Sequence, residues 1–479
     1  MINRLDEVRD GFFITNMMKR NWMTRLDLLE IIDRVCKEHR IRYFLGEGTL
    51  LGAVRHRGYI PWDDDIDLYM MRPDFDRFFA MADDVLPAPF HVSHVLEPNM
   101  HRRVSKISGG DEIIFTNEYL SSHHGFPYPY SIDIFPLDAK YPDPAKEEDR
   151  RSRIREITAM LQTEEDAARR EELESQRESA YTACPFDEAR EVTFFSHEGT
   201  IHVFQKQWFE PESTLLFEDR HLPVPSDYDM VLTTRYHNYM TGVRDESSHI
   251  YPCYALYEEQ FRDFLGHNPF RYTYDASHLQ RSRIIQEQAK DILFLPVRSA
   301  WWPAMHSAYH TLRAQEQIHI TVAPVPFRLL EDTADHEGLR SDLSGFPQDL
   351  PLVDVRTVDI CSAHYDMIFI QFPYDGTNST MSVPEGFFSS ALRSHCERLV
   401  YIPPYLTDDP SPTDPALAAA LEVLIEQPAV MFADHILVSS ELMRVFYIEI
   451  LCIITGEENR TVWEDKIIVH SADEGAITS

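Results

Sequence analysis

The chain has 479 residues, of which 43% are hydrophobic, and this length allows two or three domains with packed cores. Its formal net charge of −34 argues against general nucleic-acid binding, because an acidic surface repels a phosphate backbone. Six scattered cysteines show no C-x-x-C spacing, which argues against a zinc knuckle or a disulfide framework and favours a reducing compartment. The first 20 residues lack an apolar signal region, and no run of about 18 apolar residues occurs, so we expect a cytoplasmic protein, with any membrane association either peripheral or through a partner.

Apolar residues at helical spacing between Trp22 and Cys36 predict the first helix of the chain. Thr24 and Asp27 resemble a capping box and place its start nearby. We expect this helix to pack on a sheet.

The next stretch, residues 45–70, reads LGEGTLLGAVRHRGYIPWDDDIDLYM. A short strand is predicted over Ile41–Leu45, ending at Gly46, and a helix is predicted to begin at Gly48 and Thr49. A glycine at a helix start lets backbone N–H groups approach a phosphate, and the helix dipole favours the anion there. The turn is therefore a candidate phosphate site.

Three aspartates follow this turn. Asp63, Asp65 and Asp67 recur with period two, so on a strand they project from one face, while Ile66 and Leu68 project from the other. Carboxylates crowded in this way repel one another, and a divalent cation is one remedy. An isolated acidic run is more often a solvated surface, but the apolar alternation and the preceding glycine turn favour a cation site.

Two basic side chains are candidates for binding a substrate phosphate. Arg55 lies between the glycine turn and the aspartates, and Lys106 lies in His101–Ser108 (HRRVSKIS), which is predicted to be a strand with a basic face. The alternative for each is an ordinary solvent-facing side chain, because exposure is the default for Arg and Lys.

Tyr130–Asp138 (YSIDIFPLD) is predicted to be a buried strand, and Asp133 interrupts its apolar pattern. A carboxylate there is costly unless a cation or hydrogen bonds compensate it, so Asp133 is a candidate third acid of the site. Asp138 is expected to cap a turn after Pro136. The charged stretch near residues 145–180 is predicted to form a solvated helix or helical pair without a chemical role.

The strings GTLLGAVRHRGYIPWDDDIDLYM and IDIFPLD resemble signature blocks of the LicD/fukutin family, a branch of the nucleotidyltransferase superfamily. This resemblance implies an α+β nucleotidyltransferase-like catalytic domain with a mixed sheet over residues 1–270, including the charged helical insertion. It implies that Asp65 and Asp67 are the metal-binding pair and that Gly48 and Thr49 contact phosphate. Asp133 would be a further metal ligand or a general base towards an acceptor hydroxyl.

The function implied by the resemblance is the transfer of a phospho-alcohol group, phosphocholine or a related polyol or amino-alcohol phosphate. The donor would be a CDP-activated alcohol, the cofactor Mg²⁺ or Mn²⁺, and the acceptor a hydroxyl of a cell-surface glycan, lipid-linked glycan or teichoic-acid-like precursor at the inner face of the membrane. Two alternatives stay open at this stage. One is a nucleotidyltransferase that makes an NDP-activated compound, and the other is a non-catalytic glycan- or nucleotide-binding subunit of a glycan assembly complex.

One departure from the family pattern lies in the block YHNYM. LicD-like proteins usually have Gly-Asp before Tyr-Met, whereas this chain has His237 and Asn238. If that corner shapes the acceptor pocket, we expect the acceptor to differ.

Residues 280–479 alternate short apolar runs with helical patterns, which predicts a Rossmann-like domain with a parallel sheet and an α/β fold class for the whole chain. The strings DILFLPVRSAWW, FIQFPYDGTNST and RLVYIPPYL resemble the N-terminal domain of CDP-glycerol glycerophosphotransferases. Such enzymes have two Rossmann-like halves, and this chain has one. The domain is therefore expected to bind a glycan or polyol phosphate, or to support a homo-oligomer, and not to be catalytic by itself.

Overall fold

The computed structural model describes residues 2–95, 104–195, 201–241, 244, 251–279, 281–283, 290–315, 318–330, 338–360 and 364–470. The chain divides into two compact units, an N-terminal unit of residues 1–3 and 17–243 and a C-terminal unit of residues 4–16 and 244–479. Within the described part, no helix combines the length and the apolar character that crossing a bilayer requires.

Elements are numbered along the chain, beginning with the hairpin β1 (Glu7–Arg9) and β2 (Phe12–Ile14), which belongs to the C-terminal unit. The N-terminal unit contains the helices α1 (Asn16–His39), α2 (Glu47–Arg55), α3 (Arg72–Phe79), α4 (Ala82–Val85), α5 (Asn117–Ser122), α6 (Pro144–Thr163), α7 (Ala167–Tyr181) and α8 (Tyr228–Tyr236). Its strands are β3 (Phe44–Leu45), β4 (Asp67–Met71), β5 (His91–Val95), β6 (Val104–Gly110), β7 (Tyr130–Ala139), β8 (Glu191–Phe195), β9 (Ile201–Gln205), β10 (Ser213–Phe217) and β11 (Arg220–Val224).

The N-terminal unit is built on a mixed sheet. Its described strands run in the order β3-β4-β7-β6-β5, with β8 and β9 continuing from the end of β7, and only the β4–β7 pair is parallel. Strand β7 is central because it pairs with β4 on one side and β6 on the other, and its residues Ile132 and Ile134 are fully buried. Pro136 fits inside this strand since the antiparallel partner changes from β6, which pairs up to Ile134, to β8, which pairs from Asp138.

Asp138 does not cap a turn, as the sequence pattern suggested. It lies within β7, fully buried, and accepts a hydrogen bond from Arg72 Nε at 2.6 Å. The Arg72 guanidinium also reaches Glu178 of α7 at 2.8 Å. Helix α7 is therefore linked through Arg72 to the buried Asp138 of the sheet, by a Glu178 side chain that is itself 48% exposed, and most of the surface of α6 and α7 is solvated as predicted.

Helix α1 packs its apolar face into the core, where Trp22, Leu29 and Ile32 are fully buried. The predicted capping box is wrong, because the helix begins at Asn16 and Thr24 lies inside it. The Thr24 hydroxyl donates to the carbonyl oxygen of Arg20 at 2.9 Å, the usual way for a hydroxyl inside a helix to be satisfied.

The C-terminal unit contains the helices α9 (Ala255–Leu265), α10 (Trp302–Arg313), α11 (Ser389–Leu392), α12 (Pro415–Ile425), α13 (Pro428–Phe432), α14 (Glu441–Thr455) and α15 (Arg460–Lys466). Its further strands are β12 (Asp291–Leu295), β13 (His319–Val322), β14 (Arg328–Leu329), β15 (Tyr365–Ile370), β16 (Met381–Ser382), β17 (Cys396–Tyr401), β18 (His435–Val438) and β19 (Ile467–Val469). Its main sheet has the described order β13-β12-β15-β17-β18-β19, and every pair in it is parallel. This confirms the predicted α/β fold class.

In a parallel sheet that is covered by helices on both sides, the strands carry apolar residues on both faces. Strand β12 shows this, because its residues Ile292, Leu293, Phe294 and Leu295 are all buried. Phe294 stacks on Phe369 of β15, with ring centroids 4.4 Å apart. The apolar run that the sequence shows at this point is thus a central strand of the sheet.

One cation is buried where α15 meets β19. Lys466 is fully buried, its Nζ donates to the carbonyl oxygen of Met431 at 2.8 Å, and it lies 5.1 Å from the Trp463 ring centroid. Burial, which disfavours the charged form, lowers the pKa of Lys466 to about 7.

We expect the free energy of unfolding to rise with pH above 7 because of Lys466. In the unfolded chain its pKa returns to about 10.4, so between these values the unfolded state binds more protons than the folded state. The slope of this contribution approaches about 1.4 kcal/mol per pH unit. Urea denaturation of the wild type and of Lys466→Met, at pH 7.0 and 8.5, measures it. The variant should lack the rise, and an equal pH dependence in both proteins would contradict the assignment.

A second prediction concerns the residue that ends α8. His237 has φ 55° and ψ −105°, a conformation that L side chains rarely adopt and glycine adopts readily. Replacing it by glycine relieves backbone strain of about 1–3 kcal/mol. Glycine also makes the unfolded chain more flexible, which lowers stability by the smaller amount of roughly 0.5–1 kcal/mol. We therefore expect His237→Gly to raise the free energy of unfolding by about 1 kcal/mol in urea denaturation, whereas His237→Ala keeps the strain and should give no gain.

Candidate active site

The acidic stretch is a turn that leads into a strand, and not one continuous strand. Only Asp67 belongs to β4. Asp63, Asp64 and Asp65 lie before it in an irregular segment, named the acidic turn, which follows a turn closed by the Asp63 N–H and the Ile60 carbonyl oxygen at 2.9 Å. The prediction that all three aspartates lie on one strand is therefore wrong.

Helix α1 holds this turn through two buried side chains. Asn21 Nδ2 donates to the carbonyl oxygen of Asp64 at 2.7 Å, and Trp22 Nε1 donates to that of Asp63 at 2.9 Å. These two carbonyl oxygens thus accept hydrogen bonds from side chains of a helix. In a strand they would have accepted them from the backbone of a neighbouring strand. That exchange is the physical reason why the turn replaces the predicted strand. Arg25 Nε in turn donates to Asn21 Oδ1 at 2.9 Å and orients the amide.

The sheet places Asp67 and Asp133 next to each other. They are directly paired residues of the parallel strands β4 and β7, and the Asp133 N–H bonds the carbonyl oxygen of Ile66 at 3.1 Å. On the other side of β7, Lys106 of β6 is paired with Asp133, and its Nζ lies 3.2 Å from Asp133 Oδ2. Two carboxylates and one ammonium group thus lie side by side on three neighbouring strands, β4, β7 and β6. His101–Arg103, the other part of the predicted basic strand, lie outside the described residues.

The glycine turn is joined to the same strand. The Gly46 N–H bonds the Asp67 carbonyl oxygen and the Thr49 Oγ1 accepts from the Asp67 N–H, both at 2.9 Å. Helix α2 begins at Glu47, with Gly46 as its N-cap. Gly48 lies so close to Asp63 that a Cβ there would stand 2.5 Å from Asp63 Oδ2. A side chain at this position would therefore displace the Asp63 carboxylate.

The carboxylates destabilise each other's charged forms. Burial, followed by the charges of Asp65 and Asp133, holds the pKa of Asp67 well above its ordinary value. Burial also raises the pKa of Asp133, an effect that the Lys106 ammonium opposes. Binding of a cation lowers the free energy of such a cluster, because the cation takes the place of the proton that a carboxylate would otherwise bind.

Oxygen ligands of this kind fit a hard divalent cation such as Mg²⁺ or Mn²⁺. Within the described part of the chain, the acidic turn offers three carboxylate oxygens, one each from Asp63, Asp64 and Asp65, that lie within 4.8 Å of one another. Asp67 and Asp133 flank this group through the β4–β7 pairing. The donor set therefore suits the predicted cation, while Asp65, Asp67 and Asp133 as its ligands stay a prediction.

Sequence reasoning missed a buried ion pair beside the glycine turn. Arg235 Nε of α8 donates to Glu47 Oε2 at 2.8 Å, and the Tyr236 hydroxyl lies 3.3 Å from the same oxygen. The Tyr69 hydroxyl of β4 donates to the other carboxylate oxygen of Glu47. Glu47 was visible as a carboxylate between two glycines, but nothing in the sequence indicated that Arg235 is its partner.

Arg55, a predicted phosphate contact, lies at the C-terminal end of α2. Its Nη1 donates to the carbonyl oxygen of Tyr239 at 3.3 Å, and its guanidinium lies 5.9 Å from the Trp62 ring centroid. The structure therefore places Arg55 between the residue that precedes the aspartates and the segment after α8. Its contact with a substrate stays a prediction.

A mixed sheet that carries paired carboxylates beside a helix N-terminus is typical of the nucleotidyltransferase class, and sequence comparison supports this class. Residues 40–136 match the family model described as LicD/FKTN/FKRP, nucleotidyltransferase domain. The predicted resemblance of the N-terminal unit to the LicD family is thereby confirmed. The matched segment contains the glycine turn, the acidic turn, Lys106 and Asp133.

Three curated proteins are similar to parts of the chain. The lipopolysaccharide cholinephosphotransferase LicD of Haemophilus influenzae is 46% identical over 61 residues, which are 13% of this chain and 23% of that protein. Uncharacterized proteins of Rickettsia typhi and Rickettsia prowazekii are 31% and 45% identical over 118 and 117 residues. These segments are 24% and 23% of this chain and 36% and 43% of the two proteins, so the chain spans less than half the length of each relative.

We expect Arg235→Ala to lower the free energy of unfolding by about 2–3 kcal/mol, because it leaves the carboxylate of Glu47 buried without its cation. The Arg235 and Glu47 side chains are only 15% and 8% exposed. Urea denaturation measures the loss, and Arg155→Ala on the exposed face of α6 is the matched control, expected to change stability by less than about 1 kcal/mol. A loss no larger than that of the control would contradict the structural role of this pair.

Proposed function

We propose that the N-terminal unit transfers a phospho-alcohol group, phosphocholine or a related polyol or amino-alcohol phosphate, from a CDP-activated donor to a hydroxyl of a cell-surface glycan precursor. In this reaction the acceptor oxygen attacks the β-phosphorus of the donor. The bond between that phosphorus and the bridging oxygen breaks, and CMP leaves. The one observation that carries the proposal is the direct pairing of Asp67 with Asp133, with Lys106 on Asp133 and the glycine turn on Asp67.

The glycine turn suits the phosphate groups of the donor. The N–H groups in the first turn of a helix have no intrahelical partner, and the helix dipole favours an anion in front of them. Gly48 and Thr49 lie in this first turn of α2. Hydrogen bonds to Asp67 hold the turn in place, so the phosphate site and the carboxylates keep a constant separation during the reaction.

Asp133 and Lys106 suit the acceptor side of the reaction. A carboxylate whose pKa is raised by burial can take the proton of an attacking hydroxyl more readily than an exposed one. The Lys106 ammonium keeps the carboxylate oriented and offers positive charge to the phosphate being transferred. Mg²⁺ or Mn²⁺ bound by Asp65 and Asp67, with Asp133 as a further ligand where it does not act as the base, would supply further neutralisation of the phosphoryl charge.

The similarity to a cholinephosphotransferase of Haemophilus influenzae supports phosphocholine as the first group to test. The family description also mentions a nucleotidyltransferase domain, which favours CTP with a phospho-alcohol as a second substrate pair. The two reactions release different products from the cytidine nucleotide, CMP in the first and pyrophosphate in the second.

The test incubates the full-length protein with Mg²⁺ and, separately, CDP-choline, CDP-glycerol, CDP-ribitol and CTP with phosphocholine, each with a polyol or glycan acceptor. We expect acceptor-dependent release of CMP from at least one CDP-alcohol. Asp67→Asn should lower the rate at least about 10³-fold, because it removes one charge from the cluster that faces the phosphates. Asp84→Asn, an exposed carboxylate of α4 in the same unit, is the matched control and should keep full activity.

Release of pyrophosphate from CTP in place of CMP would replace the proposal by a nucleotidyltransferase. Release of neither product, together with binding of a CDP-alcohol, would indicate a binding subunit. Full activity of Asp67→Asn would remove this residue from the mechanism.

A further inference from the structure

Two exposed histidines lie one helical turn apart on α10 of the C-terminal unit. Residues 306–310 read HSAYH, so His306 and His310 have the i, i+4 spacing at which side chains stand one above the other on the same face of a helix. Both side chains are exposed, and their ring centroids lie 4.2 Å apart with the ring planes at 50°. The two imidazoles are therefore close neighbours at the surface.

The helix that carries this histidine pair is fixed to the parallel sheet. Tyr309 meets Phe294 of β12 with ring centroids 5.8 Å apart. The residues of α10 that are buried in the core of the unit are Trp302, Met305, Ala308, Tyr309 and Leu312. A close-packed interior resists displacement, so the backbone holds the two histidines at a constant separation and only their side chains rotate.

The ring nitrogens of this pair are not used by the fold. Within the described part of the chain, neither His306 nor His310 makes a side-chain hydrogen bond or an ion pair. By contrast, the exposed rings of His278 and His319 each lie 3.5 Å from a carboxylate oxygen. A neutral imidazole has one nitrogen with a free lone pair, so the pair on α10 offers two nitrogen ligands side by side.

Nitrogen ligands in this arrangement select a particular class of metal ion. Two histidines at i and i+4 on one helix face supply two of the protein ligands in helical zinc sites. Imidazole suits Zn²⁺, Ni²⁺ and Cu²⁺, whereas carboxylate oxygens suit Mg²⁺ and Mn²⁺. Among the described residues, the acidic turn is the one group in which three donor atoms lie within 4.8 Å of one another, so α10 supplies two ligands and not three.

We propose that His306 and His310 form a binding site for one divalent transition-metal ion of the Zn²⁺, Ni²⁺ or Cu²⁺ type. Each ring contributes one nitrogen at the usual distance of about 2.0–2.1 Å, and water fills the remaining positions. Once one ring is bound, binding of the second is intramolecular, so the pair binds the ion more tightly than a single exposed histidine does. The residues between the two histidines include no glutamate, the general base of helical metalloprotease sites, so the assignment is metal binding and not hydrolysis.

The test measures, residue by residue, how Zn²⁺ protects the histidines of the full-length protein from diethyl pyrocarbonate. This reagent acylates the free nitrogen of a neutral imidazole, and mass spectrometry of the peptides gives the rate at each position. Zn²⁺ at about ten times its dissociation constant should slow the modification of His306 and His310 about tenfold, because about a tenth of the sites stay free. His278 and His319, with side chains 66% and 76% exposed, are the internal controls and should keep their rates. Mg²⁺ at the same concentration should protect neither member of the pair, because it prefers oxygen ligands.

Single substitutions show whether the two rings act together. His310→Ala should weaken the Zn²⁺ protection of His306 at least about tenfold, and His306→Ala should do the same for His310, because each variant leaves a single imidazole. Alanine favours the helix and both positions are exposed, so the variants should fold, which circular dichroism checks. His278→Ala is the matched control and should leave the protection of the pair unchanged.

The proposal fails if Zn²⁺ leaves His306 and His310 unprotected, or if it protects His278 and His319 equally. It also fails if His306 is protected as strongly in His310→Ala as in the wild type, or if Mg²⁺ protects the pair as Zn²⁺ does. Since the readout is specific to each residue, metal ions in the acidic turn do not affect it, and neither does the outcome of the CMP-release assay.

Discussion

The constraint that shapes the N-terminal unit is the repulsion between carboxylates that its backbone holds close together. Asp67 and Asp133 are paired across β4 and β7, and the acidic turn brings Asp63 and Asp65 to the same end of β4. Such a cluster is unfavourable by itself, so rigid neighbours must hold it. Asn21 and Trp22 of α1 do so through the turn's carbonyl groups. The same rigidity would give the proposed cation and phosphate a preformed site.

A second layer of polar contacts surrounds the glycine turn. Arg235 and Tyr236, from a helix far along the chain, hold Glu47, and Tyr69 of β4 contacts the same carboxylate. Since Glu47 is the first residue of α2, this network sets the direction of the helix whose N-terminus faces the carboxylates. The C-terminal unit is built on a parallel sheet, and a cavity at the carboxyl edge of this sheet is lined by uncharged residues.

Several local features could be predicted from the sequence because short-range physics decides them. The unbroken apolar run of β12 and the alternation in β7 identify buried strands wherever they are placed in a fold. The regular alternation of strands and helices after residue 290 predicts a parallel sheet, since parallel neighbours need crossover connections. The motif strings likewise identified the carboxylates and the glycine turn before any contact was known. The resemblance of the C-terminal unit to glycerophosphotransferases has no counterpart in the family match, which ends at residue 136, and stays a prediction.

Other features were decided only by the tertiary structure. Asp63 and Asp65 have the period of a strand, yet they form a turn because side chains of α1 satisfy the backbone there. Asp138 looked like a turn residue after a proline, yet it is buried in β7 because Arg72 compensates its charge. The sequence by itself therefore determined which residues are candidates for the chemistry and which segments are buried. Partners distant in sequence decided the backbone shape and charge state of those residues, because hydrogen bonds and ion pairs between remote segments leave no periodic trace in a single chain.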